Sequence, residues 1–299
     1  MLRGGMPPRP PLRAGCQVQD YTVYITAIFA GFALLELVLG RFLQGAESAP
    51  KDVILELAAG LAIPLLIVPS VLWTAPVIVE SVAPDSANAW AAWPWWSMLL
   101  VLVVADDLTQ YWWHRLSHTL PWLYALHRAH HSARYMSVRI VYRNSLVYYA
   151  LMPGLWFSAA LIHLGFGTVY VGYIVFKLTV IIGAHSSVPW DRPLQKNRFT
   201  RPLMWWVTRI ISTPTTHAAH HGRYHDDGVT HYKGNFGNLL FFWDVLFGTA
   251  KISDKRPDAY GLENVTPATW FQELIWPVGR TAEEYRQAER LVQPSDPVQ

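Results

Sequence analysis

The run DDLTQYWWHRLSH at residues 106–118, followed by LHRAHHS at 126–132 and THAAHHG at 216–222, decides how this chain is read. His114 and His118 are four residues apart; His127, His130 and His131 follow an i, i+3, i+4 pattern, as do His217, His220 and His221. On a helix such residues share one face, with Cβ atoms about 5 to 6 Å apart. Each group can therefore aim several imidazoles at one point. Neutral imidazole suits iron, copper, zinc and nickel, so eight converging rings can hold two such ions at close range. A lone histidine near a membrane boundary reads as an interfacial polar tip or a hydrogen-bonded core residue, but three groups at ligand spacing read as a metal centre. No HExxH and no G-x-S-x-G is present, which removes the usual zinc-protease and nucleophile-elbow arrangements.

Composition places this constellation at a bilayer. Hydrophobic residues make up 52% of the 299 and charged residues 15%, against roughly 25% charged in an ordinary soluble domain. The net charge of +3 is mild and the arginines are scattered among histidines and tryptophans, so nucleic acid is not an expected partner. The single cysteine, Cys16, excludes an intramolecular disulfide framework and a cysteine-based zinc site. Any metal is left to His, Asp or Glu.

Five segments are apolar enough to enter a bilayer, where about 20 helical residues cross the hydrocarbon: 21–43, 53–79, 93–113, 146–164 and 168–184. The expected fold is all-α, a multi-pass transmembrane helical domain over 21–280 between a flexible tail at 1–20 and a polar tail at 281–299. Pro64, Pro69 and Pro76 suggest that the second segment is bent or re-entrant. Trp90, Trp93, Trp95 and Trp96 look like an interfacial aromatic belt. Arg and Lys collect in 115–143 and 192–233 and are absent from Gly165-Phe166-Gly167. The positive-inside bias then puts every histidine group on the cytoplasmic face, the expected setting being a bacterial inner membrane. Arg3, Arg9 and Arg13 favour a cytoplasmic start as well, which requires the second segment to be re-entrant. Trp205, Trp206, Ile210 and Ile211 suggest an amphipathic surface helix, and residues 239–247 another.

The three histidine runs, closed by GNFGNLLFFWDVLFGT at 234–249, strongly resemble the fatty acid hydroxylase and sterol desaturase superfamily. Its pattern is H-x3-H, H-x2-HH and H-x2-HH, with an upstream D-x3-YW, an N-[FY]-G and a WD-x-LFGT. The resemblance covers 107–249. It implies a helical membrane domain whose cytoplasmic helical cap binds two iron ions, with zinc a possible occupant on purification, and which oxidises unactivated C–H bonds of lipids with dioxygen. The ligands it implies are His114, His118, His127, His130, His131, His217, His220 and His221. His185, in the HSSVPW stretch, falls where the family often places a further histidine. Some relatives supply another four residues later, where this chain has Pro189; His225 could fill that gap or be solvent-exposed. His231 and His163 are read as non-ligands.

Asp107 lies seven residues before His114, on the same helix face, and is read as an acceptor that orients a ligand imidazole. Asn235 and Asp244 match the family ending, and turn or capping roles explain them nearly as well. Lys177, an intramembrane cation eight residues before His185, is either functional or a snorkelling side chain. Hydroxylation or desaturation of a sterol, fatty acid, carotenoid or related lipid is the expected activity. With no flavin, dinucleotide or haem signature, electrons are expected from a separate reductase, ferredoxin-like or cytochrome-like protein. The rival of another class is a membrane metal-binding or metal-transport protein. A transporter would place its ionisable ligands near the bilayer midplane, and these groups lie outside it.

Overall fold

A computed structural model describes residues 14–43, 49–263, 268–276 and 278. The described residues are helical, and they contain no strand, only the isolated bridges Ile211 to Leu240 and Gly222 to Tyr260. The polar tail expected at 281–299 lies outside them. Of the tail expected at 1–20, residues 1–13 lie outside, whereas α1 (Ala14–Val38) already begins at Ala14.

Helix α2 (Pro50–Val82) is 33 residues long, about 50 Å at 1.5 Å per residue. It starts well for simple reasons: Pro50 occupies the first turn, where no N–H is needed, and the Ala49 N–H donates to the Asp52 carboxylate at 2.9 Å. Its prolines do not fold it back. A π turn over Ile63–Ile67 absorbs Pro64, and the hydroxyls of Ser70 and Thr74 donate to the carbonyls of Leu66 and Ser70. The bent or re-entrant second segment is therefore replaced by one continuous helix.

Its two ends mark the two ends of the molecule. At one, Asp52 and Glu56 pair with Arg143 and Arg139 (2.7 and 2.8 Å), and the neighbouring Leu55 and Ala59 pack with Ala129. At the other, Glu80 meets His163 at 2.9 Å. The C-terminal end of α1 lies at the first of these, where buried Glu36 accepts from Ser137, Ser186 and the Ser187 N–H. With Glu36 near its C-terminal end at the histidine side, α1 runs toward the histidines as it packs on the segment that ends at His185.

Helix α3 (95–117) returns toward the histidine end. A π turn over Val103–Leu108 widens it at two consecutive aspartates, so that Asp106 and Asp107 are both buried yet meet different partners. Helix α4 (Pro121–His131) follows, and then the short α5 (Leu146–Ala150). Helix α6 (Pro153–His185) consists of two limbs that part at Gly165, φ +114°. A side chain there would be strained, and its Cβ would lie 2.8 Å from the Ala91 nitrogen. The loop carrying Trp90 and Trp93, stacked at 4.9 Å, lies on this turn and donates from Asn88 and Trp90 to the carbonyls of His163 and Leu164. The two limbs embrace α3, the first packing on its π turn and the second on its start. Both α3 and the second limb therefore run from the Gly165 turn to the opposite end, finishing at His114–His118 and at His185.

The remainder is a cap of short helices over that end: α7 (Asp191–Lys196), α8 (Arg201–Ile210), α9 (Pro214–His220), α10 (Phe242–Leu246) and α11 (Trp270–Ile275). Helix α8 is amphipathic as expected, but its apolar face turns outward, with Leu203, Trp205, Trp206 and Ile210 exposed and Met204 and Thr208 buried.

Candidate metal centre

Four elements bring nine histidines together. α3 ends on His114 and His118, α4 on His127, His130 and His131, the second limb of α6 on His185, and α9 on His217, His220 and the adjoining His221. The last of these helices has its start fixed by a capping box between Thr213 and Thr216 with Pro214 in the first turn. Buried Asp191 adds a carboxylate at that start, accepting from the Thr215 N–H and hydroxyl at 3.1 and 2.9 Å. All nine histidines are buried.

They divide into two sets, each with its ligand atoms within 4.8 Å of one another: His114, His118, His127, His131 and His220, and separately His130, His185, His217 and His221. Among the described residues no carboxylate belongs to either set. The approaches are made through Nε2: His114 to His220 at 3.0 Å, His118 to His131 at 3.1 Å, His127 to His131 at 3.2 Å, His185 to His217 at 2.9 Å and to His130 at 3.2 Å.

In five of the nine, Nδ1 meets an acceptor oxygen, which shows which nitrogen holds the proton. His114 Nδ1 donates to Phe236 O (2.7 Å), His220 Nδ1 to Gly234 O (2.7 Å), His130 Nδ1 to Ile140 O (3.1 Å) and His185 Nδ1 to Ile181 O (2.8 Å), while His127 Nδ1 donates to the Asn144 side-chain oxygen (2.9 Å). With the proton on Nδ1, each Nε2 carries a lone pair, and the lone pairs confront one another at about 3 Å. That arrangement is repulsive unless a cation lies among them, so the donor set fits metal ions and fits them twice. Burial, then the neighbouring histidines, holds His118, His130, His131, His217 and His221 well below the usual histidine range; burial also lowers His127 and His220. Neutral rings are what a metal requires.

The loop at 234–237 is held by residues that the sequence left between a functional and a turn role. Asn235, at φ +56°, donates to Thr216 O and Lys251 O and accepts from the Lys251 N–H. Asp244 accepts from the N–H groups of Phe236 and Gly237 and from the Thr249 hydroxyl. Burial raises its pKa to about 6 against those hydrogen bonds. Together they position the carbonyls of Gly234 and Phe236 that orient His220 and His114.

Asp107 does not orient an imidazole. Its carboxylate accepts from Trp243 Nε1 at 2.8 Å and the Leu240 N–H at 3.3 Å, because the π turn rotates it toward the 239–247 segment; the Phe236 carbonyl takes the role beside His114 instead. Nor does Lys177 snorkel: it is buried, with Nζ 2.7 Å from Asp106. His225 is exposed against Tyr232 and lies in neither set, His231 meets Thr249 O, and His163 is at the far end. Sequence reasoning missed Asn144 and the four carbonyl acceptors. Asn144 carries no spacing signal, and a carbonyl carries none at all.

This arrangement defines two histidine clusters, each able to hold a metal ion, on an all-helical scaffold. The fatty acid hydroxylase family model matches residues 99–249, and the chain belongs to the fatty acid hydroxylase and sterol desaturase superfamily. Among similar proteins, the alkylglycerol monooxygenase of Danio rerio is 30% identical over 88% of this chain and 54% of its own length, and that of Homo sapiens 27% identical over 86% and 53%. A very-long-chain aldehyde decarbonylase of Oryza sativa subsp. indica is 25% identical over 69% of this chain and 32% of its own. The chain thus spans about half the length of the alkylglycerol monooxygenases it matches. No solved structure matches it.

Proposed function

We propose that the chain is an integral-membrane, dioxygen-dependent di-iron lipid oxygenase, and that its substrate belongs to the ether lipids named by its alkylglycerol monooxygenase relatives. The observation that carries this reading is the pair of histidine sets with converging Nε2 lone pairs and no carboxylate. Imidazole suits iron among the first-row metals, and oxidation of an unactivated C–H bond needs an ion that changes oxidation state.

The five ligands are His114, His118, His127, His131 and His220; the four are His130, His185, His217 and His221. Iron held there supplies the redox chemistry of dioxygen. One oxygen atom enters a C–H bond and the other leaves as water, with two electrons and two protons from a separate donor protein. The protein's own part is positional. The Nδ1 acceptors fix ring orientation, burial excludes water, and a cavity reaching His114, His127, His130 and His185, walled by Met152, Leu155, Ile174, Leu178 and Ile181, holds the alkyl chain against the metals.

Membrane residence is supported by α2, long enough to cross and exposing Leu57, Leu61, Leu65, Leu66, Trp73 and Val77 around its girth. The outward apolar face of α8 suits the headgroup boundary. The charge distribution favours the cytoplasmic side for the histidine cap. Labelled dioxygen tests the reading: with 1-O-hexadecylglycerol, reductant and the iron-loaded chain, hydroxylation beside the ether oxygen gives a hemiacetal that breaks down to hexadecanal and glycerol. The aldehyde, trapped by reduction at once, should carry the label. A product formed without dioxygen, or labelled from water alone under rapid trapping, overturns it.

A further inference from the structure

The cavity beside the histidines has polar groups in its lining, among them Asp106, Gln110, Ser158 and Lys177. Lys177 Nζ lies 2.7 Å from Asp106 Oδ2, and the two residues are 4% and 5% exposed. Taking an ion pair out of water costs more than its attraction returns unless further hydrogen bonds complete it. In the same lining they are incomplete: Gln110 Oε1 and Ser158 Oγ, the latter in a residue 2% exposed, are buried without a hydrogen-bond partner among the described residues. Lys177 carries three N–H donors, of which Asp106 needs one. Buried polar groups in native proteins find partners, and these groups share a cavity that reaches the metal ligands.

The chemistry of the missing partner follows from the set. The Lys177–Asp106 pair is neutral as a whole, so an anionic head would confront Asp106 and the Gln110 carbonyl, and a cationic one would confront Lys177. Ammonium N–H groups, a serine hydroxyl and an amide oxygen are together matched by a neutral group that both donates and accepts at several points. We propose that Asp106, Gln110, Ser158 and Lys177 form a subsite for a neutral polyhydroxyl head group of the glycerol type on the lipid substrate. The proposal rests on the lipid-oxygenase reading and names the feature by which that site selects its lipid. It also sets a ruler. Eight residues separate Asp106 from His114 and Lys177 from His185, about 12 Å of helix in each case. A head group held at the subsite therefore presents the near end of the chain, with the carbon beside the ether oxygen, to the metals, not the distal chain end.

The test is binding without turnover. The full iron-loaded chain, kept anaerobic in phosphatidylcholine nanodiscs, is titrated with 1-O-hexadecylglycerol, with hexadecyl methyl ether, which keeps chain and ether oxygen but lacks hydroxyls, and with palmitate. The glycerol ether should bind at least about tenfold tighter than either. Gln110→Leu and Ser158→Ala should each weaken it by about threefold to tenfold, the range of one hydrogen bond, and leave the methyl ether unchanged. The paired change Asp106→Asn with Lys177→Met, which leaves no buried charge unmatched, should reduce the preference further. Equal binding of the two ethers, tighter binding of palmitate, or a preference that survives all the variants overturns the proposal. Failure of the oxygenase reading shows separately, as no labelled product when dioxygen and reductant are admitted, with the binding preference intact.

Discussion

The two histidine sets differ in more than number. Each draws on three helices, but in the five-membered set His114, His127 and His220 each have their Nδ1 engaged by a fixed acceptor. The four-membered set holds His130 and His185 in the same way, but His217 Nδ1 is buried without a partner among the described residues, and the set has one ligand fewer. The difference teaches that the two sets are unequal in the ligands they offer: the first would hold an ion through more imidazoles, more of them fixed by an acceptor, than the second. Both line the same cavity, through His114 and His127 on one side and His130 and His185 on the other.

The comparison is broken most forcefully by removing a ligand from one set. His130→Ala should lower activity more than about 100-fold and cost one ion while the five-histidine ion stays, as metal analysis of the purified protein will show. His118→Ala should cost the other ion. If His130→Ala empties both sites alike, the sets are not separate. Next in size is Asn144→Leu, which leaves every ligand in place and frees His127 Nδ1; metal affinity at the five-membered set should fall about 10- to 100-fold, measured by chelator competition.

A pH titration of the metal-free chain probes both sets together. His118, His127, His130, His131, His217, His220 and His221 have folded pKa values below their unfolded value of 6.5, so below pH 6.5 the unfolded chain binds more protons. Stability is then lost as pH falls through that region. Asp244, raised from 3.8 to about 6, works the other way between those values, since its folded form binds the extra proton. Seven groups against one give a net loss, visible as a falling unfolding temperature from pH 7 to 5. The smallest effects are expected away from the sets: Asp107→Asn, which keeps an acceptor for Trp243, and His163→Ala, at the far end, should each change metal content by less than about 10% and activity by less than about threefold.

Histidine spacing made the ligands legible because helical geometry converts i, i+3, i+4 directly into a shared face. All eight box histidines and His185 come together as the pattern and the resemblance implied. What spacing could not give is how α3, α4, the second limb of α6 and α9 divide the rings into five and four, since that depends on the relative placement of four helices. The apolar segments were legible as well, but Pro64, Pro69 and Pro76 pointed to a break that a π turn and two hydroxyl hydrogen bonds absorb within α2. Asp107 shares a face with His114 on an ideal helix; the π turn at Val103–Leu108 removes that register, and no sequence signal marks it.

Metal stoichiometry of the anaerobically reconstituted chain tests the central claim most directly, read together with the His130→Ala and His118→Ala variants. Two iron ions per wild-type chain, falling to one in each variant, is the result expected of two separate histidine sets. One ion per active wild-type chain, lost by both variants, contradicts it.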